Sequence, residues 1–212
     1  MSYNVKEIYR TIQGEGAHAG RTAVFCRFAG CNLWTGREKD RSSAICRFCD
    51  TDFVGTDGPG GGRFQTAESL ADAIVHCWES EPDHAAPYVV CTGGEPLLQL
   101  DTPLVDAFHE RRFLVAIETN GTRIPPPGID CVCVSPKAGS KMILFNGDEL
   151  KLVYPQAGIA PDDFLDFEFS RFSLQPMDGP NIEKNTELAA DYCRKHPEWR
   201  LSLQMHKLMG IQ

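Results

Sequence analysis

The sequence predicts an α/β fold on a largely parallel sheet, and three observations carry that expectation. Strand-like stretches alternate with helix-like ones along the chain, the pattern of parallel pairing through crossovers. The short segments GGEP, ETNG, SPK and QPMD each follow a strand-like run, and functional groups in such sheets gather at the carboxyl ends of strands. Helix-like stretches number about three against six or more strands, too few for a complete eight-fold barrel.

Residues 5–12 and 22–28 read as strands joined by a glycine-rich turn. Residues 55–62 hold five glycines and one proline and read as a loop. Residues 66–80 place Leu70, Ile74, Cys77 and Trp78 at helical spacing. Thr66 is the expected N-cap, with Ser69 where Glu is usual. Residues 88–92 are short and β-rich, 102–112 read as a helix and 113–117 as the next strand. Residues 131–134, 150–153 and 167–174 follow as strands, 183–196 as a helix and 199–205 as the last strand. Residues 123–128 are a proline-rich, stiff connector. With no internal repeat and no low-complexity tail, residues 1–212 are expected to form one domain.

A chain of 212 residues can bury a sizeable core. The net charge of −8 argues against a nonspecific nucleic-acid binder, which needs a basic face. No apolar run approaches the ~18 residues of a membrane span, and the N-terminus lacks the apolar core of a signal peptide. Nine cysteines, an odd number, with a C-x-x-C pair point to reduced thiols and a cytoplasmic location.

Cys31, Cys46 and Cys49 are the chemically telling cysteines. Three thiolates can hold three irons of a [4Fe–4S] cluster and leave the fourth iron open. Cys26 supplies a fourth thiol, so a structural zinc competes for the same residues. Alternation along a strand points Cys26 and Arg27 to opposite faces, which favours Cys26 as a core residue. Cys77, Cys91, Cys131, Cys133 and Cys193 fall within helix or strand patterns and read as core.

The cysteine trio with TGGEP resembles the radical S-adenosylmethionine (SAM) superfamily. The gap of fourteen residues after Cys31 departs from the usual C-x3-C and marks an insertion over 32–45. IQGEG, that gap, CDT after the cluster residues, TGGEP, ETNG and SPK together resemble the 7-carboxy-7-deazaguanine synthase family, from about Glu7 to the C-terminus. The resemblance implies a partial, trimmed (β/α) barrel with few helices. It implies conversion of 6-carboxy-5,6,7,8-tetrahydropterin to 7-carboxy-7-deazaguanine with loss of ammonia, toward queuosine. It implies a [4Fe–4S] cluster, SAM and Mg²⁺, a homodimer and a flavodoxin-type reductant. The radical takes hydrogen from the pterin and later returns it, so that SAM is regenerated.

The same resemblance distributes site residues. Phe48 lies near the adenine. Gly93 and Gly94 let backbone approach SAM, and Glu95 receives its ammonium. Asp50, Ser135, Lys137 and Gln175 offer further polar contacts to SAM. The Thr51 hydroxyl joins substrate oxygens on Mg²⁺, a cation that takes few protein ligands; the plain alternative for 50–52 is a solvated turn. Ile12, Gln13, Gly14 and Glu15 meet the edge of the pterin. Arg27 forks onto a carboxylate, or is a surface arginine. Thr92 contacts substrate, and His206 does so or is structural. Arg37–Arg41 reads as a solvated helix or a reductase-docking patch. A radical SAM activase of a partner protein, or a zinc-stabilised binding module, are the competing functions; IQGEG and the insertion point away from the activase.

Overall fold

The computed structural model describes residues 2–78 and 86–211. A nine-stranded sheet dominates it. In chain order the strands and helices are β1 (Tyr3–Ile12), β2 (Thr22–Phe28), β3 (Gly62–Phe64), α1 (Ala67–Trp78), β4 (Tyr88–Gly93), α2 (Thr102–Glu110), β5 (Leu114–Thr119), β6 (Cys131–Val134), β7 (Asn146–Gly147), β8 (Glu149–Tyr154), β9 (Glu168–Phe169), β10 (Phe172–Pro176), α3 (Ile182–Lys195), β11 (Trp199–Leu201) and α4 (Met205–Met209). The large sheet runs β11-β10-β8-β6-β5-β4-β2-β1-β3, and β7 pairs with β9 apart from it. All pairings from β2 to β11 are parallel; β1 is antiparallel to both β2 and β3. Among the described residues the α-helices longer than five residues are α1, α2 and α3, and the other helical segments are α4 and short 3₁₀ turns, the longest being Glu38–Ser43, as the helix-poor reading expects.

Alternation gives each strand two duties. One set of side chains, including Val24, Cys26, Phe28, Val89, Cys91, Val115 and Ile117, is buried with Leu70, Ile74, Leu104 and Phe108 of α1 and α2. Leu150, Leu152 and Leu174 continue that face into a second cluster with Ala189 of α3 and Trp199. The alternate set faces the other side. There Ala23, Phe25, Tyr88, Val90, Ala116 and Cys131 form a small apolar plug. Thr92, Glu118 and Lys151 lie one or more turns of the pleat further on.

The caps follow from side-chain chemistry. Thr66 Oγ1 accepts from Ser69 N at 3.1 Å, and Ser69 Oγ accepts from Thr66 N at 3.3 Å. This is a reciprocal box with serine in the place of glutamate. Residues 79 and 80, the expected end of that helix, and His84 lie outside the described residues. Asp101 caps α2 by accepting from Leu104 N at 3.2 Å, and it also accepts from the Tyr3 hydroxyl at 2.7 Å.

Two expected strands are corrected. Residues 167–174 split, because Phe169 ends a pairing with β7 before Phe172 starts one with β8. The expected strand 199–205 stops at Leu201: Ser202 N donates to Leu174 O at 2.8 Å, and the chain then leaves the sheet for α4.

Candidate functional site

A cavity of about 350 Å³ opens at the carboxyl ends of the parallel strands. Strand ends, the turn after β1, the cysteine loop and the segment around α4 build its wall. Of the expected site residues, Cys46, Phe48, Cys49, Asp50, Thr51, Gly93, Gly94, Ser135, Lys137 and Gln175 line it, with Ile12, Gln13, Gly14, Glu15, Arg27, Thr92 and His206. Cys31 and Glu95 stand behind the wall.

Cys26 is fully buried on the helix-packed face, while its neighbour Arg27 reaches the cavity. The four-thiol zinc set is thereby broken. Cys31 lies against the glycine turn: a Cβ built on Gly94 would come 2.7 Å from Cys31 Cβ and 2.6 Å from Gly30 C. Only glycine allows this approach. Gly93 has φ +130° and no room for a side chain beside the Phe28 backbone. Among the described residues no three His, Cys, Asp or Glu side chains close on a single ion position. The thiols hold hydrogen bonds instead. Cys46 bonds to Cys49, which raises the Cys46 thiol and lowers Cys49 to about 6, so Cys49 is the readier thiolate. Three soft thiols on one loop, two of them in the cavity wall, fit an iron–sulfur cluster better than a hard ion.

Arg41 fixes that loop. Its guanidinium donates to the carbonyls of Arg47 and Cys49 at 3.0 Å each, pairs with Glu38, and lies 4.0 Å from the Trp34 ring centroid. The charged stretch is the solvent-facing helical turn expected, a 3₁₀ helix over Glu38–Ser43 with no buried residue, and its Arg41 also acts as a structural brace.

Glu95 is fully buried and lies outside the cavity lining. Its carboxylate accepts from Leu97 N at 3.0 Å, Thr119 Oγ1 at 2.8 Å and Asn120 N at 2.8 Å. It ties GGEP to the end of β5. Burial pushes its carboxyl upward, and these donors oppose the shift. The side chain is spent on the fold; in the cavity wall the motif presents Gly93 and Gly94. Lys137 Nζ donates to Ser135 O at 2.9 Å and Ser135 Oγ at 2.6 Å, and stands 5.7 Å from the Phe48 ring centroid. Gln175 Oε1 accepts from Ser202 Oγ at 3.3 Å.

Opposite, Arg27 donates to Glu7 Oε1 at 2.8 Å and to the Tyr9 hydroxyl at 2.7 Å, which holds its plane in the wall. Glu15 accepts from Lys151 Nζ at 2.6 Å and Gln204 Nε2 at 2.8 Å. Burial drives the Glu15 carboxyl upward, but the Lys151 charge wins and holds it near 2. Lys151 also reaches Glu118 Oε1 at 3.2 Å. Glu118 accepts further from Gln13 Nε2 at 3.2 Å and Thr92 Oγ1 at 3.4 Å. Gly14 has no side chain where His206 sits: a Cβ there would lie 2.8 Å from His206 N.

The carboxylates beside Thr51 are both engaged. Asp50 pairs with Lys207 at 2.5 Å, and Lys207 also holds Asp178 at 2.5 Å. Asp52 pairs with Lys6 at 3.0 Å and accepts from Val54 N at 3.0 Å. The Thr51 residue remains in the wall beside them.

Sequence reasoning missed Glu118, Lys151, Gln204 and Lys207. A lysine at an inward position of the apolar run ELKLVY was the available signal for Lys151.

No family model matches the chain. A 7-carboxy-7-deazaguanine synthase of Bradyrhizobium diazoefficiens is 62% identical over 212 residues, with both chains fully covered. The enzyme of that name from Bordetella pertussis is 62% identical and that from Caulobacter vibrioides 57%, again over both full lengths. The crystal structure of QueE from Escherichia coli superposes with a TM-score of 0.71 at 28% identity, covering 96% of this chain and 94% of that one. The trimmed α/β architecture read from the sequence is the architecture of that neighbour, and the chain belongs to the 7-carboxy-7-deazaguanine synthase family.

Proposed function

We propose that this enzyme contracts the ring of 6-carboxy-5,6,7,8-tetrahydropterin to 7-carboxy-7-deazaguanine with release of ammonia, a step toward queuosine, as one radical SAM domain spanning residues 1–212. The observation that carries the reading is a single cavity flanked by cysteine thiols and the GGEP turn on one side and by carboxylates with Arg27 on the other. Cys31, Cys46 and Cys49 would hold a [4Fe–4S] cluster. Gly93, Gly94, Phe48, Asp50, Ser135, Lys137 and Gln175 would hold SAM. When bound, these supply a 5′-deoxyadenosyl radical that takes and returns hydrogen.

The chain's own residues orient and shield the substrate. Arg27 suits the substrate carboxylate, because Glu7 and Tyr9 already fix its fork. Glu15, Gln13 and Thr92 suit the nitrogen-rich edge of the pterin. Ile12 and His206 close the turn side, and Gly14 leaves His206 its place. Thr51 would contribute one oxygen to Mg²⁺, with substrate and water completing the shell. Nothing in the cavity is needed as a protein acid or base for the abstraction. The motif resemblance further supports a homodimer and a flavodoxin-type reductant, and no helix among the described residues is long and apolar enough to cross a membrane.

Anaerobically reconstituted protein with the pterin, SAM and reductant should yield 7-carboxy-7-deazaguanine by mass spectrometry, with little net loss of SAM. Cleavage of SAM with the pterin left intact would refute the assignment.

A further inference from the structure

Glu15 and Glu118 come from distant parts of the chain and share one cation. Glu15 stands in the turn after β1, Glu118 on β5 and Lys151 on β8. The Lys151 side chain is 5% exposed, with Nζ 2.6 Å from Glu15 and 3.2 Å from Glu118. Two carboxylates against one ammonium leave a net negative charge at the cavity wall. Gln204, Gln13 and Thr92 add neutral donors. Together with the two contacts of Lys151 they occupy only part of the ~8 acceptor sites that two carboxylates offer. The remaining capacity suits a ligand edge made of N–H donors.

We propose that Lys151 is a positioning residue that holds the Glu15 and Glu118 carboxylates side by side against their mutual repulsion, so that the wall accepts the N–H donors of a cyclic guanidine edge and disfavours rings that present acceptors there. This rests on the pterin reading above, since a 2-amino-4-oxopyrimidine ring presents such an edge. Without the ammonium, the like charges of the two partly buried carboxylates oppose each other, and the doubly charged pair is disfavoured at neutral pH and recovered as pH rises. Burial alone would push Lys151 downward, but Glu118 and Glu15 override it and hold it well above the usual lysine range. The groups facing Nζ are Glu118, Glu15 and Cys133 of β6. Lys137, His206 and Glu149 act on the same cluster at longer range.

The test is equilibrium binding of 6-carboxytetrahydropterin to cluster-loaded protein between about pH 5.5 and 8.5. Wild type should bind with little dependence on pH. Lys151→Met should weaken pterin binding about tenfold or more at neutral pH and regain affinity as pH rises, when the shared proton leaves. Iron content and SAM affinity should match wild type. Lys151→Arg should restore most of the binding and the flat profile. Wild-type affinity and a flat profile in Lys151→Met would overturn the proposal while leaving the pterin reading intact. A loss equal at every pH and shared by SAM would also overturn it, because that marks a packing role. Absence of pterin binding by wild type would sink both readings. If Lys151→Met does not fold, Lys151→Met/Glu118→Gln should fold, since it lacks the like-charge pair, and should bind weakly without pH dependence. Failure of that double variant to fold would assign Lys151 to packing and overturn the proposal.

Discussion

Gly14→Ala isolates the closure of the segment around α4 over the cavity. The φ of Gly14 lies outside the left-handed range, so alanine adds no backbone strain; its effect is steric. The new methyl carbon would lie 2.8 Å from His206 N and closer still to Nδ1. Ordinary contact begins at 3.4 Å, so the segment must retreat by about 0.6 Å. Met205 N donates to Gly14 O at 3.0 Å, and a retreat of that size takes the pair out of hydrogen-bond range. That bond is worth about 1 kcal/mol, and part of the charge-assisted Gln204–Glu15 bond goes with it, so the closed state loses roughly 2 kcal/mol. A binding-competent state made rarer by that amount weakens apparent affinity by at most about thirtyfold, the full factor being reached where the seated state is no longer the majority. Calorimetric titration with the pterin reads the change, with iron content and thermal midpoint as controls. A pterin Kd within twofold of wild type, in folded and iron-replete protein, would refute the argument that the segment forms part of the substrate wall.

The other expectations are simpler. Cys31→Ala, Cys46→Ala and Cys49→Ala should each abolish the brown [4Fe–4S] absorbance after reconstitution, whereas Cys26→Ala should retain it; full iron and sulfide in any of the first three ends the assignment. Glu95→Ala strands two backbone donors and a hydroxyl in the interior, so it should cost roughly 3–5 kcal/mol in chemical denaturation, by analogy with breaking a buried charged partnership; an unchanged midpoint would mean the GGEP turn stands without it. Thr51→Ala should flatten the rise of product formation with Mg²⁺ while keeping the cluster, and Thr51→Ser should keep most of it; identical curves for wild type and Thr51→Ala would remove Thr51 from the metal. Acid should loosen the Glu15–Lys151 tie only at low pH: with its carboxyl lowered to about 2, Glu15 contributes stability in full above its usual 4.5 and loses it as pH falls toward 2. A Glu15→Gln variant should therefore show a shallower acid limb, and an acid limb identical to wild type would contradict the pairing.

Much of the fold could be read because its signals are local. Period two separates Cys26 from Arg27, and the structure puts them on opposite faces. Thr66 and Ser69 advertise the start of α1 three residues apart. What stayed hidden depends on chain segments far apart in sequence. Lys151 meets Glu15 across 136 residues and Glu118 across 33. Gln204 and Lys207 join the wall only because the chain leaves β11 and crosses to the turn at Gly14. Glu95 lies in a motif whose sequence advertises a ligand contact, yet its surroundings are the donors of β5 and Leu97. Nothing local in residues 50–52 reveals that Lys207 holds Asp50 and Lys6 holds Asp52, because both lysines come from distant parts of the chain.

The alternation along the strands has an engineering consequence. Residues that bear the helices and residues that meet the ligand are neighbours in sequence but belong to separate compartments: Cys91 and Thr92, Ile117 and Glu118, Leu150 and Lys151, Leu174 and Gln175. Variation confined to the second member of each pair redraws the chamber's specificity and leaves the scaffold's hydrophobic inventory intact. A library built on that parity could search for new heterocyclic substrates at Thr92 and Gln175 while leaving the core intact, whereas Glu118 and Lys151 would have to vary together because they share one buried ion pair.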